Sequence, residues 1–221
     1  MNIGPITSPA SSKPPKNIQP NQDDARDNGL LQRIANKDRE AFEQLYQQYH
    51  PRLIRFVSPI LRDCPAASSE EVTNDTMFVV WRRSAEFRGD SKVSTWIFGI
   101  AYRTALSERK KHLAKCQNIN DIDPDQVNQP CKEQQQVNLH NLLATAMNLL
   151  SLEHQTVVKL TFWDGFSYAE IAKTMDCPVN TVKSRMHYAK SKLKDVLPGL
   201  LGENTDKLQL SDIFAPPHAE T

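Results

Sequence analysis

The sequence predicts an all-α fold: two small helical domains joined by a flexible linker, the C-terminal one a four-helix domain with a helix-turn-helix. Three observations predict it. Glycine is scarce, seven in 221 residues, and few segments alternate like half-buried strands. Apolar residues instead recur three and four apart through most of the chain between Leu30 and Val196. That period is lost over 115–136, where Asn, Asp, Gln and Pro take over.

Taken in order, residues 1–26 hold Pro5, Pro9, Pro14, Pro15 and Pro20 among polar residues, and are expected to be a disordered extension. From Leu30 the pattern is helical. Phe42, Leu45, Tyr46 and Tyr49 mark one core face; after Pro51, Leu53, Val57, Ile60 and Leu61 mark another, with Pro59 placed to kink or cap it. Ser68 opens the next helix, with Glu71 completing a capping box, and Val72, Thr76, Val79 and Val80 face inward. Phe87 to Lys92 is a loop. Ser94 or Thr95 then caps a helix to about Lys111, with Ile97, Ile100, Ala101 and Thr104 or Ala105 inside. The first domain is 27–114 and the linker 115–136. The second domain is 137–197. Leu139, Leu142, Leu143, Ala146 and Leu150 form its first helix face, and Ser151 caps the next helix. Leu197-Pro198-Gly199 ends the last helix. The tail 198–221 carries a small apolar cluster at Leu208, Leu210, Ile213 and Phe214.

Composition narrows the function classes. Net charge is +1, so any affinity for nucleic acid must come from local patches. Two exist: Lys183, Arg185, Lys190, Lys192 and Lys194 without an acid in 180–194, and Arg103, Arg109, Lys110, Lys111 and Lys115 against Glu108 alone. Cys64, Cys116, Cys131 and Cys177 show no metal-site spacing and read as ordinary thiols of a reducing compartment, although Cys116 and Cys131 flank the linker. Asp121, Asp123 and Asp125 imitate the start of a calcium loop. Gln126 stands at its glycine and Lys132 at its closing acid, so calcium is rejected. There is no Walker motif, metal cluster or nucleophile–base pairing, and the expectation is a protein that is not an enzyme and needs no cofactor. No apolar N-terminal run and no stretch of about 18 apolar residues is present, which predicts a cytoplasmic chain without membrane insertion.

The strongest local signal lies at 167–196. Ser167 caps a short helix with Ile171, Ala172 and Met175 inside; Asp176 and Cys177 form the corner; Pro178 prevents continuation. In the following helix Val182, Met186, Ala189, Leu193 and Val196 face inward. Asn180, Lys183, Ser184, His187 and Ser191 then lie outward, flanked by Thr181 and Arg185. Amide, hydroxyl and basic side chains at the start of a second helix suit the major groove. Two further faces stand out. Trp96, Arg103, Ser107 and Lys110, flanked by Tyr102 and Arg109, combine rings and cations as single-stranded DNA requires, although Trp96 taken alone reads as a core residue before a stacking platform, and the basic line is the stronger signal. Glu71, Asn74, Asp75 and Phe78 form an acidic and amide strip with one exposed aromatic, which reads as a solvated face or a docking surface.

With these residues in view, the chain resembles the sigma-70 family of RNA polymerase initiation factors, most closely its compact extracytoplasmic-function class. The stretches Glu71–Trp81, Ser94–Arg103, Gly165–Ala172 and Val179–Arg185 match in order and spacing across about 28–197. The resemblance implies core RNA polymerase and promoter DNA as partners, and in many relatives a cognate anti-sigma protein. It implies that Glu71, Asn74, Asp75 and Phe78 meet the polymerase. Trp96, Tyr102, Arg103, Ser107, Arg109 and Lys110 would then hold the melted downstream element. Asn180, Thr181, Lys183, Ser184, Arg185 and His187 would read the upstream element. Thr104 stands where the family usually has Asn, Ser107 where Asp is common, and Asp176 and Asn180 replace turn glycines. Asp tolerates left-handed geometry, so the turn should survive, and Asn180 is placed to cap the recognition helix. The competing expectation is a stand-alone helix-turn-helix regulator that binds operators as a dimer, which would leave 68–111 without a task.

Overall fold

The computed structural model describes residues 21–64, 67–118 and 139–201. These form α1 (Asn21–Ala35), α2 (Arg39–Val57), α3 (Ser69–Arg83), a 3-10 turn at Ser84–Glu86 and α4 (Val93–Asn118). The second half adds α5 (Leu139–Asn148), α6 (Leu152–Phe162), α7 (Tyr168–Met175) and α8 (Val179–Leu201). Among the described residues there is no strand, as the scarcity of alternation predicts.

Helix boundaries depart from the sequence reading in four places. α1 begins at Asn21, inside the stretch expected to be disordered. Asp27 explains this: it is 4% exposed and accepts hydrogen bonds from the Tyr49 hydroxyl and from Gln48 Nε2 (3.0 Å), tying α1 to α2. Burial pushes its carboxyl above the usual range, against those two bonds. α2 runs unbroken through Pro51, although an interior proline forfeits one backbone bond. Pro51 is exposed, and Leu45, Tyr49, Leu53, Phe56 and Val57 keep one buried stripe past it. α4 starts at Val93, so Ser94 and Thr95 lie in its first turn instead of capping it, and it passes Lys111 to reach Asn118. α8 continues through Pro198 to Leu201. The caps at Ser68 and Ser151 are present, accepting from the Glu71 and His154 N–H groups. At α3 the Glu71 side chain makes no return bond among the described residues, so the expected box is a one-way cap. Cys131, the 121–132 acidic stretch and the apolar cluster at 208–214 lie outside the described residues, as does the Cys116 side chain. Among the described residues Cys64 and Cys177 form no disulfide.

α1, α3 and α4 pack around α2, burying Leu31, Ile34, Leu45, Tyr49, Leu53, Met77, Val80 and Ile97. In the second half α8 packs on α5, α6 and α7, around Leu160, Ile171, Val182, Ala189 and Leu193. The two halves do not stand apart: α7 lies along α4. Phe98, fully buried, sits between Phe56 of α2 (centroids 5.0 Å apart) and Phe166 of the second half (5.2 Å), in tilted ring contacts. Polar fastenings surround this contact. Arg52 pairs with Asp164 at 3.1 Å, Lys92 with Glu170 at 3.0 Å, and Lys173 donates to the Asp90 carbonyl. A helix expected to show one apolar face, α4, is thus buried on two.

Candidate nucleic-acid interface

The helix-turn-helix is assembled from its ends inward. The Glu170 N–H donates to Ser167 Oγ at 3.3 Å and the Ser167 N–H donates to Glu170 Oε2 at 2.7 Å, a reciprocal box that fixes where α7 begins. Burial works against the charge on Glu170, but the Ser167 bonds and Lys92 hold its carboxyl below the usual range. Asp176 then adopts φ 50°, ψ 55°, the left-handed geometry expected of it, and the Cys177 N–H bonds back to the Ala172 carbonyl at 3.0 Å. The Pro178 carbonyl accepts from Thr181 N–H at 2.9 Å and Val182 N–H at 3.3 Å, starting α8 at Val179. Asn180 therefore lies inside the first turn and does not cap the helix.

α8 presents the face read from its spacing. Val182, Met186, Ala189 and Leu193 are buried; Asn180, Lys183, Ser184 and His187 are exposed; Thr181 and Arg185 are half-buried at its edge. Arg185 Nη1 approaches Cys177 Sγ at 3.8 Å, which holds the guanidinium across the turn. Ser184 donates to the Asn180 carbonyl at 3.0 Å, leaving its oxygen free to accept. Among the described residues no carboxylate lies within 4.0 Å of Lys183, Lys190, Lys192 or Lys194. The cationic face is therefore unneutralised, as phosphate binding requires. Two residues that sequence reasoning missed complete it. Tyr188, 54% exposed, stacks on His154 at 4.6 Å, and both line the same shallow surface as Lys183 and Arg185. Tyr188 follows Ser184 by one helical turn, a spacing that could have found it; His154 comes from another helix and left no such signal. Burial, opposed by Glu153 and assisted by Arg185, pushes the His154 imidazole below its ordinary value.

The α3 strip is open as expected: Glu71, Asn74, Asp75 and Phe78 are all exposed, Phe78 by 56%. Asn74 Oδ1 accepts from the Tyr46 hydroxyl at 2.8 Å, and the Arg82 guanidinium lies 5.6 Å from the Phe78 ring. Beside the strip runs a groove lined by Phe42, Tyr46, Met77, Phe78 and Trp81. Phe42 and Tyr46 fit the core period but are only half-buried here, lining this groove.

The α4 face differs from its reading. Arg103, Ser107 and Lys110 are exposed, but Trp96 packs half-buried against Phe87 (5.3 Å), and Arg109 is paired with Asp63 at 3.0 Å. Tyr102, expected beside the open line, is 6% exposed. Burial raises its phenol, with Glu153, Arg185 and Cys177 of the second half close enough to act on it. The second half, packed on α4, brings those groups over it.

Matches to known families follow the same division. Sigma-70 region 2 matches residues 45–114, and sigma-70 region 4 matches residues 140–193. Together the two span more than half of the chain. The chain belongs to the sigma-70 family. Region 2 covers most of α2 with all of α3 and nearly all of α4, and region 4 covers nearly all of α5 to the buried part of α8. Among relatives, the RNA polymerase sigma-H factor of Pseudomonas aeruginosa is 26% identical over 193 residues, covering 80% of this chain and 97% of its own. The ECF RNA polymerase sigma-E factor of Haemophilus influenzae is 27% identical over 195 residues, covering 79% and 97%. That of Escherichia coli K12 is 26% identical over 186 residues, covering 79% and 96%. The fold of this sigma-70 family chain is shared with CnrH, solved in complex with the cytosolic domain of CnrY (TM-score 0.58, 20% identity, 79% of this chain and 98% of that one). It is shared also with the sigma factor RpoE from Bartonella quintana, solved with the anti-sigma factor NepR (TM-score 0.56, 24% identity, 71% and 96%). No helix among the described residues is long and apolar enough to cross a membrane.

Proposed function

We propose that this chain, a sigma factor by family, binds core RNA polymerase through α3, reads the upstream promoter element with α8 and captures the melted downstream element along α4. The observation that carries this reading is the open, unpaired cationic face of α8, held rigid by the capped α7 and the left-handed turn at Asp176. Asn180, Thr181, Lys183, Ser184, Arg185 and His187 face the duplex, joined by Tyr188 at the edge. Glu71, Asn74, Asp75 and Phe78, with the adjoining groove, meet the polymerase. Arg103, Ser107 and Lys110 guide the strand; Tyr102 becomes available when the second half leaves α4, and Trp96 and Arg109 when they part from Phe87 and Asp63. Each reader is weak alone. A common scaffold that spaces them raises the effective concentration of the second once the first is bound. Parting the halves on the polymerase both uncovers Tyr102 and separates the readers along the promoter. An anti-sigma protein as a further partner is consistent with the company in which the structural neighbours were solved. Run-off transcription with core polymerase on genomic fragments tests the reading: new start sites are expected only when the chain is added, and unchanged start sites would overturn it.

A further inference from the structure

Between α2 and the α5–α6 pair lies a cavity of about 230 Å³ that the promoter reading does not use. Arg52 and Arg55 of α2, Arg62 just beyond it and Lys159 of α6 all line it, against one acid, Asp164. Arg52 is committed to Asp164 at 3.1 Å. Among the described residues, Arg55, Arg62 and Lys159 have no carboxylate within 4.0 Å. Burial and the neighbouring Arg62 charge press the Lys159 ammonium down to about 8, with Asp164 opposing. Phe56, Leu143, Met147 and Trp163 give the wall an apolar part, and Asn148 and Gln155 add amides. A second hollow of about 150 Å³ shares Arg62, Asn148 and Gln155 with the first; there Asp63 is already paired with Arg109. Gln155 is 6% exposed and donates to the Leu150 carbonyl, but its Oε1 has no donor.

Such a site asks for three things in one ligand: carboxylates, apolar side chains and an N–H donor. An inorganic anion supplies only the first, whereas an extended peptide with mixed acidic and apolar side chains supplies all of them. The chain carries such a peptide beyond α8. Between Glu203 and Phe214 there are three acids (Glu203, Asp206, Asp212) against Lys207, with Leu208, Leu210, Ile213 and Phe214 between and after them. α8 ends at Leu201 and packs on α5, a wall of the cavity. The eleven steps from Leu201 to Asp212 reach up to roughly 37 Å when extended, more than twice the roughly 15 Å length of α5. We propose that residues 203–214 dock in this basic cavity as an intramolecular strap. Because α2 belongs to one half and α5–α6 to the other, the docked strap bridges them and keeps the α4 face covered. That consequence rests on the promoter reading; the docking itself does not.

Hydrogen–deuterium exchange on the full chain tests the docking. Exchange in 203–214 should be slowed roughly tenfold or more relative to the Asp206→Lys/Asp212→Lys variant. Arg62→Glu should release the segment as well, and Arg62→Glu combined with Asp212→Lys should restore protection. A segment unprotected in the native chain, or protected equally in all variants, overturns the proposal. Protection that rises with protein concentration also overturns it, because the strap would then occupy a second copy. With core polymerase present, the released variant should bind promoter DNA several-fold more tightly. Tight binding by neither protein would count against the promoter reading and leave the exchange result standing.

Discussion

The faces of α8 and α4 carry the same kind of residues and meet opposite fates. Each has a line of cations with polar and aromatic side chains at helical spacing. On α8 the line is open from Asn180 to His187, because α5, α6 and α7 all pack against its other side. On α4 the line is open at Arg103, Ser107 and Lys110 but closed at Tyr102, where the second half packs, with Glu153, Cys177 and Arg185 beside the ring. Helical spacing assigns residues to faces; it does not say which faces another part of the chain will cover.

The largest expected effect comes from breaking the covered side. If the second face of α4 is core, Phe98→Ala removes a fully buried ring lying between Phe56 and Phe166 and costs about 3–5 kcal/mol in thermal or urea unfolding. A loss of under about 0.5 kcal/mol, typical of surface sites, would mean that α4 is not covered in solution.

Next comes the open side. Lys183→Ala should weaken upstream-element binding by about 1–3 kcal/mol in a polymerase-bound footprint or anisotropy titration, with no change in unfolding midpoint. Asp75→Ala on α3 should instead lower affinity for core polymerase in a pull-down and leave DNA contacts intact.

A smaller effect sharpens the boundary between the two faces. Lys92 sits 3.0 Å from Glu170 and 3.7 Å from Asp24. Lys92→Glu sets like charges there and should open the halves at a cost of about 1 kcal/mol or less, as for an exposed pair. Increased hydrogen exchange at 98–105 and 168–175 would report it. Glu170 also carries a pH signature, set against burial chiefly by its Ser167 bonds and then by Lys92. The Glu170 carboxyl is held below its ordinary value, so its stabilising contribution is present above the unfolded carboxylate range and is lost as pH falls through the lowered folded value.

A separate test concerns Lys159, whose folded value of about 8 lies below its ordinary one. Between those two values the unfolded chain binds more protons, so Lys159 makes the native state gain stability as pH rises from about 8. Lys159→Met should flatten that slope in a series of unfolding curves, and an unchanged slope would show that the ammonium is not desolvated.

Much of this was legible in the chain itself. The cap at Ser167, the left-handed corner at Asp176 and the inward set Val182, Met186, Ala189 and Leu193 are local properties. They follow from hydroxyl geometry, from the steric tolerance of Asp and from a period of 3.6 residues. Prolines misled where neighbours outweighed them. Pro51 suggested a break, yet α2 keeps a continuous buried stripe, and α8 passes Pro198. Asp27 reads as solvent-facing by charge, and only Tyr49 and Gln48, more than twenty positions away, make it a buried tie.

What the sequence by itself determined is the all-α class, the turn that sets α8 against α7, and which side chains share each helical face. These depend on interactions within a few residues, which spacing encodes directly. Tertiary structure alone decided that the second half covers Tyr102, that His154 supports Tyr188, and that Arg55, Arg62 and Lys159 converge on one cavity. Those outcomes depend on side chains brought together from distant positions by the burial of shared apolar surface, and that surface is non-directional until the helices have chosen their partners.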